Sequence, residues 1–416
     1  MRVTHVITRL IVGGAQENTI ASVLGLRSKP GLQVELISGP TTGPEGSLES
    51  RFAGHPDVFT RLPELVRPVH PWKDLRALQV LTCEFRARRP DLVHTHSGKA
   101  GVLGRLAARR AGVPLIVHTI HGPSFGPFQG ALANLVFRAA ERRAGRVTDH
   151  FVVVADAMKQ QYLAAGIGRP EQYTRIFSGF DLAPFLAAKN DPQLRARLGF
   201  APEDFVVGKI ARLFKLKGHD DLFAVAPELV RRCPQTKFLL VGDGAWRGRF
   251  EAWARSLGLS RHFVFTGLVR PEEVPPLIGI MDAVVHLSRR EGLPRALPQA
   301  LAVARPVVAY DCDGAGEVCR DGETGFLIPP GDTGVLTEQL LKLADNAQLR
   351  EAFGRRGQAF VRENFSTARM VDELHALYLR LAQERKGKLH TSDSSDASDR
   401  SDRSRGRGNT TKKTRS

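Results

Sequence analysis

The chain has 416 residues, 42% of them hydrophobic, and 60 Lys and Arg against 43 Asp and Glu give a formal net charge of +17. That length suggests two or three domains with sizeable cores, and no apolar run approaches the roughly 20 residues needed to span a bilayer. The four cysteines (Cys83, Cys233, Cys312, Cys319) are scattered without a CxxC pair, which argues against a disulfide framework or a cysteine metal site and favours the cytoplasm.

The first residues, MRVTHVITRLIVGGAQ, break at Gly13-Gly14 and lack a convincing cleavage site, so they are not read as a signal peptide. Instead 3–7 reads as a strand. Gly13-Gly14-Ala15 then turns into a helix near Gln16, where glycine lets a ligand or an opposing domain come close to the backbone. The turn is not GxGxxG, so a dinucleotide fingerprint is not supported. Apolar strands follow at 33–37, 92–94, 115–119 and 151–154, with helical patterns between them such as 75–88 and 98–110. After a loop-like stretch at 178–190 the alternation restarts, with strands at 205–210, 238–241, 263–265, 283–287 and 306–309. A helical segment follows at 348–363, and then a longer last helix at 367–384.

This alternation predicts an α/β chain of two Rossmann-like, doubly wound domains facing across a cleft. The expected boundaries are 1–185 for an N-terminal acceptor domain and 186–365 for a C-terminal donor domain. Residues 366–385 are expected to form a helix that packs back on the first domain. The tail, 386–416, is rich in Ser, Asp, Arg and Lys with almost no apolar residue; it cannot offset its ordering entropy and is expected to be disordered. In such sheets ligands bind beyond the carboxyl ends of the strands.

Chemistry-bearing residues fall at those ends. HTHSGKAG follows 92–94, and HTIHG follows 115–119. His121, beside Gly122, suits a hydrogen bond to a sugar hydroxyl, with a loop-capping role as the alternative. His94 and His96 have metal-like HxH spacing, but no carboxylate partner is evident. Ser97 stands where it can cap the next helix, whose N-terminus is a second anion site. The segment 128–146 carries Arg138, Arg142, Arg143 and Arg146 beside Leu132, Leu135, Val136 and Phe137. It reads equally as a helix for an anionic membrane surface and as a surface helix whose apolar face is ordinary core. No nucleic-acid module is visible.

In the second half, Arg212, Lys215, Lys217 and Gly218 follow 205–210, and clustered cations there suit a diphosphate. The stretch 282–318 ends a strand at Glu291, continues Gly292-Leu293-Pro294 into a helix, and reaches an acidic turn at Asp313-Gly314. Pro294 suits a helix's first turn, so positive helix potential is expected to open beside a hydrogen-bonding carboxylate.

These pieces in this order, GGAQ, HTHSGKAG, His121-Gly122, Arg212 with Lys217-Gly218, LLVGDG at 239–244, VFTG at 264–267, Glu291 to Pro294 and the 316–327 segment, resemble retaining glycosyltransferases of the GT-B fold, family GT4. The likeness covers roughly 1–384. It implies a hexosyl transfer from a nucleoside-diphosphate sugar to a hydroxyl acceptor, in polysaccharide, lipid-linked oligosaccharide or glycolipid synthesis. Arg212 and Lys217 would hold the diphosphate, with backbone N–H groups of Gly292, Leu293 and Pro294's turn beside them. Glu291 would contact the donor sugar and His121 the sugar near the reacting carbon. Gly14 would approach the phosphates on closure. Gly242, Gly267 and Arg270 would border the nucleotide. The family pattern is E-x7-E, and position 299 is Gln here, a departure that leaves the ribose contact uncharged.

The resemblance further implies no metal and no cofactor beyond the nucleotide sugar, since fixed cations can carry the diphosphate charge; Asp311-Cys312-Asp313 has DxD spacing but falls in a later loop. The implied partners are the donor and a glycan or lipid-linked acceptor, with no specific nucleic acid. The implied location is cytoplasmic, with peripheral contact to an anionic membrane inner face open to test. The alternatives are a sugar-nucleotide epimerase on the same fold, a non-catalytic nucleotide-sugar binder, and an anionic-polymer binder using the net charge.

Overall fold

The computed structural model describes residues 1–42 and 46–405; of Pro127 and of 388–405 only the backbone is described. The first half builds one sheet from β1 (Arg2–Ile7), β2 (Gln33–Ser38), β3 (Phe59–Arg61), β4 (Leu92–His96), β5 (Leu115–Ile120), β6 (His150–Val153) and β7 (Tyr173–Arg175). Its order is β3-β2-β1-β4-β5-β6-β7, with every pairing parallel. The second half builds another from β8 (Phe205–Ile210), β9 (Thr236–Val241), β10 (Phe263–Gly267), β11 (Ala283–His286), β12 (Val307–Tyr310) and β13 (Gly325–Ile328). Its order is β10-β9-β8-β11-β12-β13, again parallel throughout.

Each sheet starts in its middle, runs to one edge, then returns to fill the other. The reversal falls between β1 and β4 in the first sheet and between β8 and β11 in the second, which is where crevices open in doubly wound sheets. Both faces of the second sheet are covered, so its strands are nearly continuous apolar runs. Val206, Leu239 and Val284 enter one core, while their neighbours Val207, Leu240 and Val285 enter the core on the opposite face. Side chains that alternate across a strand make this inevitable once both faces are buried.

All ten strands expected from sequence form. Three more, β3, β7 and β13, do not stand out as apolar runs. Each is an edge strand with a single neighbour; β3 and β7 read FTR and YTR, and β13 opens on a glycine. Edge strands pair on one side only and need less apolar character.

The loop-like stretch after β7 holds a short helix, Ala183–Ala187, and the chain crosses back after the helix Ala347–Asn364. Phe180 N–H donates to Phe365 O at 3.0 Å, and Met370 Sδ accepts from Asn18 Nδ2 at 3.1 Å and from Gly179 N at 3.2 Å. Thr367–Arg405 is one continuous helix. It therefore runs on from 367–384 into the segment 386–416, of which 406–416 lie outside the described residues. No helix among the described residues is long and apolar enough to cross a membrane.

Candidate active site

The loops at the carboxyl ends of the two sheets meet. Gly292 lies so close beneath the His121–Gly122 turn that a Cβ there would stand 1.8 Å from His121 O. Gly314 N–H donates to Gly292 O at 3.0 Å, and Glu291 N–H donates to Asp313 Oδ2 at 2.6 Å. Asp313 Oδ1 accepts from Gln161 Nε2 at 2.6 Å, so this one carboxylate ties the Glu291 loop to the first half. Asp313 adopts φ 50°, a left-handed conformation that a non-glycine residue holds only with local hydrogen bonding. Asp313 lies in the acidic turn expected from sequence, and both its oxygens are occupied by N–H donors rather than free for a metal.

One expectation is corrected. Pro294 does not open the helix: the helix is Ala296–Ala302, seven residues with Pro298 inside it. So short a helix adds little dipole. The anion-binding potential lies in the irregular backbone before it, where the N–H groups of Gly292, Leu293 and Arg295 donate to no described atom. Successive free N–H groups of this kind form an anion cradle without needing a long helix.

The cationic half and the carboxylate half touch. Lys217 Nζ lies 2.5 Å from Glu291 Oε1, and His286 Nε2 is 3.5 Å from the same oxygen. Burial raises the Glu291 carboxyl, but the coulombic pull of His286 and Lys217 and the Lys217 hydrogen bond outweigh it, holding the group below the ordinary carboxylate range. Beneath them Lys209 on β8 is fully buried; burial, then the charge of Lys217, push its ammonium down to about 7 against the opposing pull of Glu291 and Asp221. Arg212 follows β8 on the same loop. Gly242 makes that loop possible: at φ 133° a Cβ would meet Ala211 O at 2.4 Å. Gly242 and Gly267 pair as an isolated bridge. Arg270, by contrast, is exposed and bonded to Glu273 on its own turn, Nε to Oε2 3.2 Å. Gln299 is half-buried in the helix Ala296–Ala302, and its carboxamide has no partner among the described residues.

In the first half the β1/β4 reversal places His5 directly beside His94 in register. His5 Nδ1 lies 2.9 Å from His96 Nε2, and His96 Nδ1 lies 3.1 Å from His121 Nε2. His94 Nε2 is 2.6 Å from Thr119 Oγ1. The HxH pair thus gains a third imidazole, His5, that spacing could not reveal. One ring nitrogen from each of His5, His94 and His96 falls within 4.8 Å of the others. No carboxylate among the described residues joins them, and the His5–His96 approach is already a hydrogen bond. Burial pushes the His121 imidazole down to about 4 and that of His5 to about 3. Ser97 does not cap its helix; Thr8 Oγ1, from the loop after β1, accepts from Ala100 N at 3.1 Å instead, and Ser97 Oγ donates to His96 O.

His121 also lines a cavity of about 650 Å³. Arg9, Arg67 and Lys99 stand on its polar side, and Val102, Leu103 and Phe137 on its apolar side. Lys99 pairs with Asp74, whereas the guanidinium of Arg67 has no partner among the described residues. Glu141, which also lines the cavity, is held in a buried ion pair with Arg105, Nη2 to Oε2 at 2.6 Å. The helix Ala131–Gly145 walls the cavity, and its apolar face is not all core: Leu132 and Leu135 are 77% and 64% exposed, and Val136, which lines the cavity, is 55% exposed.

Arg290 and Arg295 reach from the second half to the first. Arg290 Nη2 donates to Pro123 O at 2.7 Å while its guanidinium covers the Phe128 ring. Arg295 pairs with Glu17 and brings Cδ within 3.5 Å of a Cβ built on Gly14.

Residues 190–360 match the family model of glycosyl transferases group 1, and 13–178 that of a glycosyl transferase 4-like domain. A Bacillus subtilis protein named as a glycosyltransferase, EpsD, is 30% identical over 296 residues, 69% of this chain and 76% of that protein. An Escherichia coli UDP-Gal:alpha-D-GlcNAc-diphosphoundecaprenol alpha-1,3-galactosyltransferase is 27% identical over 322 residues, covering 76% of this chain and 82% of the relative. In the solved structure of HepE from Anabaena in complex with UDP, the fold matches with a TM-score of 0.75 at 24% identity, over 91% of this chain and all of the other. With both halves matched in order and a 30%-identical relative covered over three-quarters of its length, the chain belongs to the group 1 glycosyl transferases, on a GT-B fold.

Proposed function

We propose that the chain moves a hexosyl group from a nucleoside-diphosphate sugar to a hydroxyl of a lipid-linked glycan acceptor, with retention of configuration and without a metal. One observation carries the reading: Gly292 packs against His121 O, which brings the Glu291 loop, with Lys217 against it, up to the His121 turn. The diphosphate would lie against Arg212, Lys217 and the free N–H groups of Gly292, Leu293 and Arg295. Positive groups fixed in advance where charge develops on the leaving group are worth several kcal/mol of barrier, on the order of 3 for a single donor. A divalent ion is then unnecessary for that charge. Glu291, held ionised, would accept from a sugar hydroxyl once the donor enters.

His121 stands between the cradle and the cavity, where it would meet the donor sugar near the reacting carbon. The acceptor hydroxyl would enter through that cavity and attack the face from which the phosphate departs, passing its proton to the leaving phosphate oxygen. The cleft contacts of Arg290 and Arg295 support a closed state that excludes the water that would otherwise consume the donor. Two features favour a lipid-borne acceptor: the cationic edge at Arg9, Arg67 and Lys99, suited to phosphates, and the exposed apolar face of Leu132, Leu135 and Val136. Relatives named for diphosphoundecaprenol- and phosphatidylinositol-linked acceptors agree with that chemistry. The basic residues of the same helix suit an anionic membrane face.

The test is a thermal-shift screen of nucleoside-diphosphate sugars on the full chain, then transfer assays with the hit. Donor-dependent glycosylation of a lipid-linked acceptor is expected, with the product anomer matching the donor. An altered sugar nucleotide formed without any acceptor would instead make the chain an epimerase. Donor binding with neither transfer nor hydrolysis would leave a binding protein.

A further inference from the structure

We propose that His5, His96 and His121 form one imidazole chain that sets the tautomer of His121, so that His96 and His5 are positioning residues for transfer; this rests on His121 meeting the donor as read above. The three rings are linked nitrogen to nitrogen at 2.9 Å and 3.1 Å. Their planes run close to parallel, 11° for His5–His96 and 30° for His96–His121, with centroids 5.2 and 5.3 Å apart. That offset keeps each nitrogen near the plane of the next ring. His5 and His96 are buried, and burial disfavours protonation of all three.

A neutral imidazole carries one N–H and one lone pair. His96 uses both nitrogens, one toward each neighbour. If its Nε2 accepts from His5, its Nδ1 must donate to His121 Nε2, and His121 Nδ1 then carries the N–H. If the chain runs the other way, His121 Nδ1 is a bare lone pair. A mixed arrangement would set two N–H groups or two lone pairs face to face in a buried site. His121 Nδ1 itself has no hydrogen-bond partner among the described residues, so it is the nitrogen left for a ligand. The phosphate and ring oxygens of the donor only accept and its hydroxyls can also accept, so an N–H at His121 Nδ1 serves every donor atom that can face it, whereas a lone pair serves the hydroxyls alone. The chain therefore runs from His5 Nδ1–H through His96 Nδ1–H to leave His121 Nδ1–H facing the donor. No proton changes hands; the chain holds an orientation.

The measurement is long-range proton–nitrogen NMR of histidine-labelled full-length protein at pH 7.5, with kinetics on two variants. Wild type should show His121 as a single tautomer protonated at Nδ1. His96→Phe should mix the two tautomers and lower kcat by about tenfold or more, with nucleotide affinity changed less than twofold by calorimetry. His96→Gln, whose amide both donates and accepts, should restore the single tautomer and most of kcat. A mixed or protonated His121 in wild type overturns the proposal without any variant. So do equal losses in the Phe and Gln variants, or a stoichiometric bound metal that consumes the lone pairs of His5 and His96. The tautomer readout needs no turnover, so a failure of the transferase reading would be seen separately, as absent transfer with an intact single tautomer.

Discussion

Lys217 Nζ and Glu291 Oε1 stand 2.5 Å apart, 74 residues distant in sequence, at the ends of neighbouring strands β8 and β11. The cation expected to hold phosphate and the carboxylate expected to hold sugar are therefore partners before any donor arrives. Lys217 helps hold Glu291 ionised in a site where both side chains are only about one-fifth exposed, 22% and 20%.

Replacing Lys217 by Met should strand Glu291. An unpaired, mostly buried carboxylate costs roughly 1–3 kcal/mol, read as a loss of stability in urea unfolding at pH 7.5. kcat/KM should fall about a hundredfold or more as a diphosphate contact is lost. A variant as active as wild type would remove Lys217 from the donor site.

Gly292→Ala tests the closure. A methyl group 1.8 Å from His121 O cannot be accommodated without separating the two loops. Transfer should drop at least about tenfold, while a nucleotide alone still binds, measured by calorimetry beside steady-state kinetics. Normal turnover would show that the His121–Gly292 approach is not needed for chemistry.

Gln299→Glu restores the carboxylate of the family pattern. Its carboxamide has no partner to lose, so the change should keep or tighten nucleotide binding by up to about tenfold. A large loss of donor affinity in calorimetry would show that position 299 does not face the ribose.

The buried histidines set an acid limit. His5 has its imidazole pushed down to about 3, and His121 and His286 to about 4, by burial. An unfolded chain binds protons on these groups from about pH 6.5 downward, and the folded chain does not. Their contribution is thus fully present above about 6.5 and is lost as pH falls from there toward 4. For fully buried His5 the slope approaches about 1.4 kcal/mol per pH unit. Buried Lys209, pushed down to about 7, already makes stability fall as pH drops from 8 to 7, and melting temperature should drop by several further degrees between pH 7 and 5.5. A flat profile across that window would contradict the neutral cluster.

Leu135→Glu probes the exposed apolar face. At 64% exposure the change should alter stability by no more than about 0.5 kcal/mol. Turnover of a vesicle-borne lipid-linked acceptor should fall severalfold, while a short-chain, water-soluble analogue should be used as before. Equal rates on both would remove this helix from lipid contact.

Much of this was legible early because burial on both sheet faces forces long apolar runs, which β1, β8, β9 and β12 display plainly. The edge strands were not legible, since Thr60, Arg61, Thr174 and Arg175 need no apolar neighbours on the open side. The helix after Glu291 was misjudged in the same way. Pro294 suits a helix start locally, yet the contacts of Gly292 with His121 and of Glu291 with Asp313 hold the backbone irregular for two more residues.

By itself, then, the sequence determined the reaction class: strand-end motifs, their order, and the cations at Arg212 and Lys217 are local properties of the chain. The tertiary structure alone decided which groups share an environment. It paired Lys217 with Glu291, set Asp313 to brace the Glu291 loop, and joined His5 to His96 and His121. Those are long-range relations, fixed by strand order and by the approach of two sheets, and neither period nor spacing along a chain encodes them.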